Sequence, residues 1–212
     1  GSLNNADVTQ YDSANVATIE QSGTRGEVVT LQQGSDAGNG NGLLAKQSGT
    51  GEFADLTQDG NRNRIETDQQ GTGNDALINQ TGDDNKAVVN QLASSTDGAV
   101  TIDQVGNDNY ANAVQQAGSG NTIDIDQNGT GNQVASARDS EGKGAWTWGS
   151  DNQLVVAQKG TDNWAYADAS HSESVVKVSQ DGELNNAKGE SYLGSENKLT
   201  VTQNGAEHEA HV

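Results

Sequence analysis

The sequence predicts an all-β fold, a β-solenoid of about nine two-stranded rungs with two apposed parallel β-sheets. Three observations predict it. Glutamine recurs at a step of eleven residues, apolar and polar residues alternate around each glutamine, and proline is absent from all 212 residues. Alternation at period two marks a strand with one buried face, not a helix. Proline would remove a ladder hydrogen bond, and disordered chains are usually rich in it.

The anchors run in order along the chain. Gln10, Gln21 and Gln32 are eleven apart, as are Gln47, Gln58, Gln69, Gln80 and Gln91. Gln104 and Gln115 follow at the same step, Gln127 at twelve, and then Gln158, Gln180 and Gln203. Six residues before the anchor, 10 of 14 units carry Asn: Asn4, Asn15, Asn41, Asn63, Asn74, Asn85, Asn109, Asn121, Asn152 and Asn197. Four before it every unit is apolar, from Ala6 to Leu199. Two after it, 11 of 14 carry Gly, among them Gly23, Gly60, Gly71, Gly82, Gly106, Gly129, Gly160 and Gly205. The unit is therefore Asn-x-apolar-x-apolar-x-Gln-x-Gly followed by turn residues. Its Gly, Asn and Asp suit tight turns with positive φ.

An eleven-residue strand and turn cannot bury its inner face alone. Two such units make a rung of 22 residues, and rungs stack by parallel pairing. About 18 units would form one domain spanning residues 1–212, a rod about 43 Å tall at ~4.8 Å per rung. Small Ala and branched Val and Ile would fill a thin core. Buried amides must be hydrogen-bonded, and stacked Gln and Asn would bond along the rod as amide ladders.

Composition agrees with a core this thin. Leu, Ile, Val and Phe total 35 residues, while Asn and Gln total 42. The net charge of −19 argues against a nucleic-acid partner. The absence of Cys excludes disulfides and Cys-based metal sites. No apolar run is long enough for a membrane helix, so no membrane insertion is expected. No leader is visible before Gly1-Ser2, so a mature or trimmed form is expected, or Gly1-Ser2 as a cloning remnant.

Some units keep phase but lose the anchor. Arg138, Ala169 and Ser191 stand where Gln is expected, after Asn132, Asn163 and Asn185. The weakest unit, 139–151 with Trp146 and Trp148, reads as one distorted strand, and His208-x-Ala210-x-Val212 as a final partial strand. Longer turns are expected at 33–40 and 92–97.

Read from Gln to Gln, the pattern Gln-x-Gly-x-x-Asn-x-Ala-x-x-x-Gln occurs without departure at Gln69–Gln80, Gln80–Gln91 and Gln104–Gln115. This closely resembles the curlin repeat of curli subunits, secreted bacterial functional amyloids, over nearly the whole chain. The resemblance implies a subunit exported unfolded through an outer-membrane channel that polymerises outside the cell into fibres for biofilm matrix and adhesion. Its implied partners are itself, a nucleator subunit, the secretion channel and chaperones. The family's short N-terminal secretion segment is not visible. The units without Gln are similar to those of a nucleator, whereas the dominant Gln pattern looks more like the major subunit.

No polar capping element is evident at either end, so both ends are expected to template strand addition and give a head-to-tail filament. The charge would oppose association, so salt, divalent cations or mild acid should speed growth.

Other candidate sites are weaker. Of the three histidines, His171, His208 and His211, the last two lie in the C-terminal tail with Glu207 and Glu209 and could hold a metal, but a solvated tail or terminal strand is the better reading. The turns Gly82-Asp83-Asp84-Asn85 and Gly106-Asn107-Asp108-Asn109 could bind Ca²⁺ loosely, but turn chemistry explains them. Outward Phe53, Tyr110, Trp164 and Tyr166, with Val29, Leu31, Leu77, Val88 and Val155, could favour bundling or adhesion. The pairs Asp124/Asp126 and Glu66/Asp68 resemble glycosidase carboxylates only in composition. No catalytic, metal or cofactor site is assigned. The alternatives to a fibre subunit are a nucleator and a monomeric solenoid, such as an ice-binding or adhesin module.

Overall fold

A computed structural model describes residues 2–34, 40–135, 144–192 and 194–212. Their strands are β1 (Asn5–Gln10), β2 (Val16–Gln21), β3 (Glu27–Gln33), β4 (Gly42–Gln47), β5 (Phe53–Asp59), β6 (Arg64–Gln69), β7 (Asp75–Thr81), β8 (Lys86–Thr96), β9 (Ala99–Asn107) and β10 (Tyr110–Ser119). They continue as β11 (Thr122–Thr130), β12 (Gln133–Val134), β13 (Ala145–Trp148), β14 (Gln153–Thr161), β15 (Trp164–Ser170), β16 (Val175–Glu183), β17 (Asn186–Ser191), β18 (Lys198–Ala206) and β19 (Glu209–His211). The described residues form no helix.

Successive strands alternate between two sheets, and within each sheet all pairing is parallel. The first sheet runs β1-β3-β5-β7-β9-β11-β14-β16-β18. The second runs β2-β4-β6-β8-β10-β12-β15-β17-β19, with β13 pairing both β10 and β15. The protein is thus the all-β solenoid of two apposed parallel sheets that the alternation predicts.

Register follows the repeat. Gln10 pairs with Gln32, Gln32 with Gln58, and so on to Gln203. A slip of one residue would turn every inner side chain outward, so the alternation fixes this alignment. Two apolar columns fill the interior from each sheet. Ala54, Leu56, Ala76, Ile78, Val100, Ile102, Ile123 and Ile125 of the first sheet are fully or almost fully buried, as are Ile65, Ala87, Val89, Ala111 and Ala113 of the second. So small a core suffices because amides occupy the remaining inner positions.

Two sequence expectations are corrected here. The reading of separate units at 132–138 and 139–151 gives way to one interrupted strand position. Gln133–Val134 pairs with Tyr110–Ala111, and Ala145–Trp148 takes up the same neighbour from Ala113 onward. Ten residues, 135–144, intervene where the neighbour has only Asn112. The anchor position of this strand therefore belongs to Thr147, which pairs with Gln115; Arg138 lies outside the described residues. The second correction concerns 92–97. Strand β8 continues to Thr96, and the register shifts by a bulge opposite Gln115–Ala117. A bulge absorbs added residues while the flanking pairs keep their alignment. Of the long turn expected at 33–40, residues 35–39 lie outside the described residues.

Candidate functional site: amide ladders, corners and open ends

The first sheet carries one continuous ladder. Gln10 Nε2 donates to Gln32 Oε1 at 2.6 Å, Gln32 to Gln58 at 2.8 Å, Gln58 to Gln80 at 2.9 Å and Gln80 to Gln104 at 2.8 Å. Gln104 donates to Gln127 and Gln127 to Gln158, both at 2.8 Å, then Gln158 to Gln180 and Gln180 to Gln203, both at 2.9 Å. Each amide has a second N–H, and it reaches across the interior. Gln58 donates to Gly42 O, Gln80 to Arg64 O, Gln104 to Lys86 O and Gln203 to Asn186 O, at 2.9–3.2 Å. One side chain thus ties a strand to its neighbour and to the opposite sheet. Sequence reasoning found the ladder but not the cross-link, because spacing along the chain carries no information about what lies opposite.

The second sheet carries only half a ladder. Gln21, Gln47, Gln69, Gln91 and Gln115 are joined by four bonds of 2.9 Å. Beyond Gln115 the column continues as Thr147, Ala169 and Ser191. The hydroxyls of Thr147 and Ser191 are buried without a hydrogen-bond partner.

The asparagines divide between two corners. Asn15, Asn41, Asn63, Asn85, Asn109, Asn132, Asn163 and Asn185 form one column, each Oδ1 accepting the backbone N–H of the next. Their Nδ2 groups donate to the turn carbonyls ahead, as Asn63 does to Gly82 and Asn109 to Gly129. The other corner is mixed. Asn74, Asn121 and Asn152 stand there, and the matching positions in other turns are Gly26, Glu52, Gly98 and Ser174.

The glycines serve close approach. A Cβ on Gly60, Gly82, Gly106, Gly129, Gly160 or Gly182 would collide with the carbonyl of the next glycine in the column, which ends at Gly205. All seven have positive φ. Gly23 and Gly71 lie outside the left-handed region, contrary to the expectation of positive φ at every turn; a side chain there is excluded by the carbonyls of Gly49 and Ser95 instead.

The stack has a direction. Each Gln Oε1 accepts from the N-terminal side, so Gln10 and Gln21 present acceptor oxygens at that end. At the other end Gln203 retains one N–H beyond its bond to Asn186. The first strands are also uncovered. Val8 lies in the inner column and is 45% exposed, although its counterparts Leu56 and Ile78 are fully buried.

The remaining candidates are accounted for by local partners. His208 Nε2 lies 2.9 Å from Asn204 O, and His211 Nε2 lies 3.1 Å from Glu209 Oε1. Asp83 Oδ1 accepts from Asn61 N, Asn107 Oδ1 accepts from Asp83 N, and Asp84 binds Arg62 through two bonds. The Arg62 side chain holds the Asp84 carboxyl below the usual range. No cluster able to hold a metal ion occurs among the described residues. Asp124 and Asp126 lie on the outer face beside Asp103; burial raises both, and the neighbouring aspartates raise them further. Glu66 pairs with Arg64. Phe53, Tyr110 and Tyr166 are half-buried on the outer faces. Trp164, expected to be exposed, is only 8% exposed.

Stacked amide ladders inside a two-sheet solenoid define a structural repeat protein, in which the side chains of the repeat serve the stack itself. Two stretches of this chain match a known repeat: a model of the curlin associated repeat matches residues 60–92 and 96–129. No curated protein matches the chain.

Proposed function

We propose that the protein is the structural subunit of an extracellular curli-like amyloid fibre, built by head-to-tail addition of copies for biofilm matrix and adhesion. The uncovered first rung carries the reading. Its inner column is exposed at Val8, and its ladders end on the free acceptors of Gln10 and Gln21. A second copy can donate from Gln203 to Gln10 and cover Val8 with Val201. Such a contact is heterologous and does not close, so it propagates. Export through an outer-membrane channel, with chaperones and a nucleator as partners, belongs to the same proposal and is supported only by the likeness of residues 60–92 and 96–129 to the curlin associated repeat.

Electron microscopy of freshly desalted protein at micromolar concentration tests it. Unbranched fibres with a ~4.8 Å meridional repeat, growing without a partner, are expected. A stable β-rich monomer would overturn self-assembly. Loss of the second ladder after Gln115 favours one other reading, a nucleator. In that case the protein would shorten the lag of a separate curli subunit while forming few fibres alone.

A further inference from the structure

Among the described residues, one buried side-chain atom without a hydrogen-bond partner belongs to a carboxyl group: Glu52 Oε1. Glu52 is 1% exposed. It occupies the corner position held by Asn74, Asn121 and Asn152 in other turns. Its Oε2 accepts the Asn74 backbone N–H at 3.1 Å, as the asparagine Oδ1 does elsewhere. The asparagines then use Nδ2 as a donor to the carbonyl three residues before their partner. Asn74 donates to Ser95 O at 3.2 Å, and Asn121 donates to Gly149 O at 2.6 Å.

The matching carbonyl for Glu52 is that of Gly71. A Cβ built on Gly49 would collide with both Gly71 O and Glu52 Oε1, so the two oxygens crowd the same point. A carboxylate oxygen cannot replace Nδ2 there, because both atoms would be acceptors. A protonated carboxyl can.

We propose that Glu52 is a proton-dependent latch. Protonated, it donates from Oε1 to the Gly71 carbonyl and completes the corner as asparagine does. Ionised, it sets two acceptors against each other and loosens the contact between the Gly49–Glu52 corner and the Gly71–Asn74 corner. The charged groups around it do not favour ionisation. Asp75, next to Asn74, acts unfavourably on the charge. Glu27, whose N–H donates to Glu52 O, is another acid. Arg25, a base, adjoins the aligned Gly26 in the preceding turn. Burial is the main force holding the proton; it outweighs the hydrogen bonds from Asn74 and Thr50 that favour the carboxylate and raises the carboxyl above its ordinary value near 4.5.

The folded chain therefore binds this proton more tightly than the unfolded chain. The stabilisation is whole below the ordinary glutamate range and is lost as pH rises through the folded value. Glu52→Gln keeps the shape and supplies an N–H at every pH. The test compares the folding equilibria of the wild-type protein and Glu52→Gln from pH 4 to pH 9. Infrared difference spectra of the same samples, soluble or fibrous, report the carboxyl directly. The ratio of the two equilibrium constants should move in favour of Glu52→Gln by about tenfold for each pH unit between the unfolded and folded values. The protonated-carboxyl band that Glu52→Gln lacks should persist in the folded wild type to higher pH than in the unfolded chain. Parallel pH profiles, or a band lost at the same pH folded and unfolded, would overturn the latch.

Discussion

Replacing Gln80 by alanine removes the middle of the continuous ladder. The side chain is fully buried. It accepts from Gln58 Nε2 at 2.9 Å and donates to Gln104 Oε1 at 2.8 Å and Arg64 O at 3.1 Å. Alanine strands one Gln58 N–H and the Gln104 Oε1, whereas Gln58 Nε2 keeps its bond to Gly42 O and Arg64 O keeps its place in the parallel ladder. The strand spacing is set by backbone bonds, so Gln58 cannot reach Gln104 across the gap. At about 1–3 kcal/mol for each stranded buried group, the loss is about 2–6 kcal/mol before any cavity term. Networked contributions do not add, so about 2 kcal/mol is the expected minimum. Guanidinium unfolding followed by circular dichroism measures it. Asn79→Ala, at the neighbouring outward residue whose side chain donates to the exposed Asp103 carboxylate, should cost about 0.5 kcal/mol or less. Equal losses in the two variants would refute the role given to the ladder.

Four further outcomes follow from the same geometry. Gly129→Ala places a Cβ against the Gly160 carbonyl at φ 140° and should cost at least about 3 kcal/mol, whereas Gly42→Ala meets nothing within 4 Å and should be neutral within about 1 kcal/mol in thermal unfolding. Asp124 and Asp126 hold their protons more tightly folded than unfolded, so they favour the fold fully below the ordinary aspartate range near 3.8 and less as pH rises; Asp126→Asn should flatten the decline of the melting temperature between pH 4 and pH 7. Thr147→Gln offers an acceptor to Gln115 and removes a buried hydroxyl that has no partner, and should raise stability by about 1 kcal/mol in guanidinium unfolding. Arg62→Ala frees the Asp84 carboxyl to return toward its usual range, which nuclear magnetic resonance titration of that carboxyl reads directly.

Much of the fold was legible because the repeat writes its periodicity into side-chain type. Parity placed Ala54, Leu56 and Gln58 on one face, and the step of eleven placed each anchor in a column. The pattern could not show that the two columns differ in length. That depends on which sheet each unit enters, and Ala169 and Ser191 read only as isolated lapses. Parity also puts the anchor that pairs with Gln115 at Arg138, because the segments on either side of 136–143 carry the same apolar spacing and only pairing assigns the position to Thr147. In the sequence Glu52 reads only as one of four departures from Asn at its position in the repeat. Its chemistry emerges only once the Gly71 carbonyl is brought beside it. Trp164 was read as exposed from parity alone, yet outer-face position does not fix how much of a large ring neighbouring side chains cover.

The central claim is that copies stack end to end in the register of the repeat. Thr9 and Thr202 immediately precede the first and last anchors of the same sheet, and the chain has no cysteine. Across a head-to-tail junction they would be strand neighbours about 5 Å apart, within the Cα spacing a disulfide tolerates. Thr9→Cys and Thr202→Cys proteins, mixed before assembly and oxidised afterwards, should yield the mixed disulfide dimer in preference to either symmetric dimer. Symmetric dimers alone, or no disulfide within assembled fibres, would contradict the account.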